Sequence, residues 1–177
     1  QMSTLTTGID ALDERLALRL GHLAALHGEA SHSLSSLLCV RAVLPRPLGL
    51  DSDVVFIDGG NIFDAYHISE HSIKHEIDSE RVLARIHLSR AFTYHQLSRL
   101  INKKLPEALD HFKAKLAVVS DITQLYCDPD IKNKQEALGV FRKDIRSLAT
   151  LAEQKSVLVV ATNLQTRNRR MNNVLLH

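Results

Sequence analysis

The residue types most suggestive of chemistry lie between Gly28 and Ser35, a segment that reads G-E-A-S-H-S-L-S. Its spacing is that of a phosphate-binding loop, G-x-x-x-x-G-K-[S/T], in which backbone N–H groups, a lysine and a hydroxyl hold phosphate and Mg²⁺. The first glycine and the hydroxyl are present, but Ser33 replaces the second glycine and Leu34 replaces the lysine. We expect a helix to begin near Ser33, with an amino terminus that still favours anions. The segment therefore predicts a vestigial nucleotide-binding site, formed by Gly28, Ser31, Ser33, Leu34 and Ser35.

The elements that must position this segment are short apolar strands that alternate with helices. Apolar runs predict strands at 23–26, 54–57, 86–88, 116–119 and 157–161. Helical spacing or capping signals predict helices at 33–43, 64–73, from 78, 93–105 and 135–154. This alternation predicts an α/β fold, with a mostly parallel sheet and helices on both faces. Ligands of such sheets bind at the carboxyl ends of the strands, here at residues 28–35, 58–61, 120–121 and 162–163.

Length and composition limit the class of protein. The 177 residues predict one domain, residues 1–177, and the charged fraction of 24% is ordinary for a globular chain. No apolar run reaches the roughly 20 residues that cross a bilayer, so we expect no membrane partner. Two cysteines, Cys39 and Cys127, make no disulfide framework and favour a reducing, cytoplasmic location. The ten histidines are scattered, and we predict no metal site from them.

Charge is distributed unevenly along the chain. The net charge of +2 is too small to indicate a nucleic-acid-binding protein by itself. From Gln154 onwards, however, the chain has no Asp or Glu and several basic residues. The carboxyl-terminal segment is therefore the most basic part of the sequence.

Taken in order, these stretches resemble the core of the RecA/RadA recombinase family, from about Thr6 to about Gln165. The resemblance is carried by the order and spacing of several short segments. They are T-T-G-I-D-A-L-D at 6–13, G-H-L-A-A-L-H-G-E at 21–29, F-I-D and N-I-F within 56–63, S-R-A-F and H-Q within 89–96, residues 119–126, and V-V-A-T-N at 159–163. The resemblance implies a RecA-like fold, of the type shared by P-loop nucleotidases.

The departures from the family pattern fall on the chemistry. In active members an acidic residue two places after Asp58 activates water, and here that place is Gly60. The metal-supporting aspartate of the Walker B strand aligns with Ser120, and Asp121 is displaced by one position, which we expect to turn its side chain to the other face. Leu164 stands at the position where the family usually has a nucleotide-sensing glutamine. The chain thus resembles a RadA-like paralogue with degenerate Walker A and Walker B motifs, reduced to the core without the multimerisation segment.

The resemblance also implies two DNA-contacting loops. The second loop and a basic tail fall at about 164–177, where the candidate DNA contacts are Arg167, Arg169 and Arg170. Arginines there would contact phosphates without reading sequence, although a solvated basic tail is the alternative. The first loop contains Lys132 and Lys134, which neighbouring aspartates oppose.

The function that follows is a non-catalytic RadA/RecA-like paralogue acting in DNA recombination or repair. We expect it to bind DNA, in single-stranded form, and a RadA-type recombinase or another copy of itself, without a cofactor. One alternative is an ATP-binding or weakly ATP-hydrolysing protein that uses Mg²⁺, with the missing cation supplied from elsewhere.

Two further alternatives use other residues. A PIN-like metal-dependent nuclease would hold Mg²⁺ or Mn²⁺ with Asp58, Asp64 and Asp121. A pure interaction protein would present apolar or aromatic side chains to a recombinase. Its candidate contacts are Phe63, Tyr66, Phe92 and Tyr94, although core packing explains aromatic residues more often.

Overall fold

The strands form a single parallel sheet. The computed structural model describes residues 3–164 and 169–176, and its sheet has five strands in the order β1-β5-β4-β2-β3. All four strand pairings are parallel, which confirms the predicted α/β fold. The strands are β1 (Leu23–His27), β2 (Val54–Asp58), β3 (Ile86–Arg90), β4 (Leu116–Ser120) and β5 (Leu158–Asn163).

Helices cover both faces of the sheet. They are α1 (Asp10–Asp13), α2 (Ala30–Val43), α3 (Ala65–Lys74), α4 (Ser79–Leu83), α5 (Tyr94–Arg99), a π-helix (Leu100–Lys104), α6 (Leu105–Phe112), a 3₁₀ helix (Leu125–Cys127), α7 (Lys134–Lys155) and α8 (Arg169–Leu176). Within the described residues, no helix is long and apolar enough to cross a membrane.

Alternating side chains of the central strands build two apolar layers. Val54 and Phe56 pack with α2, α3 and α4, whereas Val55 and Ile57 pack with α5, α6 and α7. Successive strand residues point to opposite faces, so a strand buried on both faces is apolar throughout. The uninterrupted apolar runs in the sequence thus come from a sheet that is covered on both sides.

The predicted helix at 93–105 is interrupted. Thr93 caps α5 as its sequence suggests, because its hydroxyl accepts the N–H of Gln96 at 3.2 Å. The chain then passes through one π-helical segment before α6. Pro106 has no N–H to give to the carbonyl four residues earlier, so the regular α-helical pattern cannot continue through it. The single helix of the prediction is wrong at this point.

Candidate functional site

Polar residues gather where four parallel strands end. The polar side chains predicted from the sequence lie at the carboxyl ends of four strands or directly after them. These strands are β1, β2, β4 and β5. Strands β2, β4 and β5 are longer than predicted, so Asp58, Ser120 and Asn163 are their last residues. These three side chains are almost completely buried.

The vestigial phosphate loop is largely helical. α2 begins at Ala30 and not near Ser33, so the predicted start is wrong, and only Gly28 and Glu29 separate α2 from β1. Gly28 has a φ of +98°, which lets the chain turn directly from strand to helix. With serine in place of the second glycine, the segment can wind into a helix, and helical N–H groups bond to carbonyls along the chain. The residues after Glu29 are therefore part of α2 and do not form a separate loop.

The other residues at the positions of the phosphate loop contact the protein itself. The hydroxyl of Ser35, which takes the place of the Mg²⁺ ligand, is buried and donates to the carbonyl of His32 at 2.8 Å. Leu34, at the lysine position, is half-buried and packs against the apolar layer under α2. Ser33 is exposed, with its hydroxyl 3.4 Å from Nε2 of His71 on α3. A triphosphate with Mg²⁺ does not fit this donor set.

The predicted site residue Ser31 and its neighbour His32, which the sequence did not single out, each have a buried polar atom. The Oγ atom of Ser31 and the Nε2 atom of His32 are buried, and neither has a hydrogen-bond partner among the described residues. Burial lowers the pKa of His32, while the carboxylates of Asp121 and Asp58 oppose that shift. His32 thus places an imidazole near both carboxylates.

Asp58 holds the loop that follows β2. Its carboxylate is completely buried and accepts the N–H groups of Ile62 at 3.0 Å and Phe63 at 2.9 Å. It also accepts the hydroxyl of Ser120 at 2.8 Å, and Nε of Arg90 lies 3.6 Å away. The carboxylate is therefore used for folding the loop, as the buried acceptor of several donors.

Gly60, at the position of the water-activating acid, packs closely against Asp121. A Cβ atom on Gly60 would lie 2.7 Å from Cβ and 2.8 Å from Oδ2 of Asp121, so this backbone cannot carry a glutamate there. Asp121 follows the last residue of β4 and has a φ of +47°. It therefore lies outside the strand, and the expectation that strand alternation turns it to the opposite face is wrong.

The surroundings of Asp121 affect its ionisation. Burial and the Asp58 carboxylate raise the pKa of Asp121, whereas the N–H of Leu164 and the His32 ring oppose the shift. The backbone N–H of Asp121 donates to Oγ1 of Thr162 at 3.0 Å. Asp121 is thus packed between β2, β5 and α2.

The carboxylates proposed for a metal nuclease do not form a metal site. Asp64 caps α3 by accepting the N–H of Tyr66 at 2.8 Å, and Asp58 is engaged in its loop. In residues 3–164 and 169–176, no three His, Cys, Asp or Glu side chains are grouped so as to hold a metal ion.

The predicted cations after β4 are exposed. Lys132 lies in the loop between the 3₁₀ helix and α7, and Lys134 is the first residue of α7. Between them Asn133 caps α7 by accepting the N–H of Glu136 at 3.0 Å. Asp128 and Asp130 are also exposed and remain the opposing charges of this loop.

Two of the three predicted carboxyl-terminal arginines lie within the described residues. Arg167 lies outside the described residues. Arg169 begins α8, where the sequence predicted a loop and tail, and Arg170 is exposed on this helix. Met171 is buried against the core, and Val174 and Leu175 pack beside it. Their spacing is the signal for an amphipathic helix that the prediction missed.

The aromatic residues proposed as partner contacts fall into two groups. Tyr94 is 8% exposed, and Phe63 packs edge-on against Phe56 with the ring centres 5.0 Å apart. Tyr66 and Phe92 are 71% and 67% exposed. Core packing accounts for the first two and leaves the last two on the surface.

Comparison with known proteins gives the family. The model of the family described as Rad51 matches residues 1–173. Among curated proteins, the chain is 27% identical over 176 residues to the DNA repair protein RAD51 homolog 4 of Bos taurus, covering 93% of this chain and 53% of that protein. It is 28% identical over 171 residues to the meiotic recombination protein DMC1 of Saccharomyces cerevisiae, covering 90% of this chain and 50% of that protein. The chain spans about half the length of these relatives. With its parallel sheet and this match, the chain has a RecA-like α/β fold and belongs to the Rad51 family.

Proposed function

We propose that this chain acts in DNA recombination or repair as a non-hydrolysing member of its family, by binding DNA and a recombinase partner. Support for the process comes from two relatives whose names describe DNA repair and meiotic recombination. Support for the non-hydrolysing mode comes mainly from α2, which begins at Ala30 and packs Leu34 where a phosphate-binding lysine would stand.

The expected energetic effect of these replacements is large. Removing one phosphate-facing cation costs about 4 kcal/mol at a separation of about 4 Å and an effective dielectric of about 20, roughly a thousandfold in affinity. Loss of a positioned general base lowers the rate by a further factor of about 100 to 10,000. Because Gly60 packs against Asp121, a base at that position cannot be restored by a side-chain change alone.

DNA binding in this proposal depends on exposed cations and not on nucleotide. Lys132, Lys134 and Arg170 are exposed, and Arg167 and Arg169 are the other candidates by sequence. Such cations bind the phosphate backbone and release counterions, so affinity should fall as salt is added. ATP should not change the affinity.

A salt titration of single-stranded DNA binding tests the proposal. Each phosphate contact contributes about 0.7 to the slope of log affinity against log salt, so replacing Lys132 and Lys134 by alanine should reduce the slope by about 1.4. Replacing Arg167, Arg169 and Arg170 by alanine should reduce it by about 2.1.

The matched control removes two cations elsewhere. Lys74 and Arg81 lie exposed on α3 and α4, and replacing both by alanine makes the same change in net charge as the lysine pair. This control should leave the slope nearly unchanged. Unchanged affinity and slope in all three variants would show that the assigned cations do not contact DNA.

A further inference from the structure

A buried carboxylate on α7 joins three elements. Asp144 is completely buried, on the apolar side of α7 that also carries Phe141 and Leu148. It accepts the hydroxyl of Tyr126 at 2.6 Å, the amide of Asn102 at 2.8 Å and the hydroxyl of Ser98 at 3.0 Å. Removing a carboxylate from water is costly unless donors surround it, so these bonds fix its position closely.

The Tyr126 bond anchors the start of the loop that carries Lys132. Tyr126 lies in the 3₁₀ helix directly before residues 128–133 and is 2% exposed. Its ring packs against Phe141 of α7, with the ring centres 5.0 Å apart. Both the ring and the hydroxyl therefore attach this end of the loop to α7.

The other end of the same loop is attached to the same helix. Asn133 caps α7 through the N–H of Glu136. The two anchor points, at the start of α7 and at Asp144, are about 15 Å apart along the helix axis. Between them, Ile131 packs against the core, while Lys132 remains exposed. The loop is thus held at both ends by one rigid element.

Partners from the opposite side hold the carboxylate in place. Ser98 lies on α5, and Asn102 lies in the π-helix that follows. Asn102 also donates to the carbonyl of Ser98 at 2.8 Å, which orients its amide towards Asp144. None of these bonds joins Ser98 or Asn102 to the loop that carries Lys132. Substitutions at these two residues can therefore be compared with a substitution at Tyr126.

We propose that Asp144 is a positioning residue for DNA binding, which through Tyr126 holds the 128–133 loop so that Lys132 faces the phosphate backbone beside Lys134 at the start of α7. The inference rests on the proposed function, since it requires these lysines to contact DNA. The role of the buried carboxylate is to hold the loop that presents an exposed lysine.

The test compares Tyr126→Phe with Ser98→Ala, since each removes one hydroxyl donor from the same carboxylate. Tyr126→Phe should weaken single-stranded DNA binding roughly three- to tenfold, the size of one hydrogen bond, and reduce the salt slope. Ser98→Ala should leave affinity and slope unchanged. Hydrogen exchange of residues 128–133 should accelerate in Tyr126→Phe and not in Ser98→Ala.

A double-mutant cycle separates positioning from a general loss of structure. In the variant that already lacks Lys132 and Lys134, Tyr126→Phe should weaken DNA binding no further. A full additional loss in that background would overturn the inference. If the two lysines matter but Tyr126→Phe binds like wild type, the positioning role is wrong and the proposed function stands. If replacing the lysines has no effect, the loop is not a DNA contact, and both the loop assignment and this inference fail.

Discussion

Two regions that follow strands of the sheet use their polar residues in opposite ways. Around the strand ends, Asp58, Ser120 and Ser35 are buried and their polar groups bond to the protein's own backbone and side chains. Lys132 in the loop before α7 and Lys134 at the start of α7 are exposed to solvent. Groups committed to internal bonds stabilise the fold, while exposed cations remain available to an anionic ligand. The comparison therefore separates buried polar groups that support the fold from exposed cations that the proposed function assigns to DNA.

The largest expected effect tests whether the strand-end cluster is structural. Asp58→Ala removes the acceptor for three backbone N–H groups and the Ser120 hydroxyl, and should lower the free energy of unfolding by about 3 kcal/mol or more. Asp64→Ala removes an exposed helix cap and an exposed contact with His67, and should cost about 1 kcal/mol. Urea denaturation measures both. Equal losses would contradict the structural role given to Asp58.

A smaller effect tests the close packing of Gly60 on Asp121. Gly60→Ala puts a Cβ atom 2.7 Å from Cβ of Asp121 and should destabilise the fold by about 1 to 3 kcal/mol. Asp121→Gly in the same chain should recover part of this loss, because glycine removes the clash and accepts the positive φ. Gly139→Ala on α7 meets no neighbour and should stabilise by up to about 1 kcal/mol. If Gly60→Ala is as stable as wild type, the close packing of Gly60 on Asp121 is wrong.

The smallest effect concerns pH. The pKa of His32 is lowered by burial from its ordinary 6.5, so the folded state binds this proton less readily than the unfolded state. The neutral His32 ring therefore contributes to the free energy of unfolding above pH 6.5, and this contribution is lost as the pH falls towards the lowered pKa. His32→Gln should therefore lose less stability than wild type between about pH 7.5 and about pH 5.5. Thermal melts at both values measure this, and parallel losses would show that His32 does not titrate in the site.

Apolar patterning was enough to predict the strands, because a sheet buried on both faces needs uninterrupted apolar runs. It was not enough for the site. The start of α2 at Ala30 depends on how the whole loop winds, and the turn at Asp121 depends on a positive φ that one sequence does not reveal. Asp144 had a usable signal, a single carboxylate on the apolar side of a long helix, but its three donors come from distant positions.

The most direct test of the account is the thermal melting of the protein with and without Mg²⁺ and ATP. A ligand that binds only the folded state raises the melting temperature according to its concentration and affinity. At about 1 mM ATP the account predicts a change within about 1 °C, because Leu34 provides no charge to hold a triphosphate. A rise of several degrees, equivalent to about 2 to 3 kcal/mol, would show that the site still binds nucleotide.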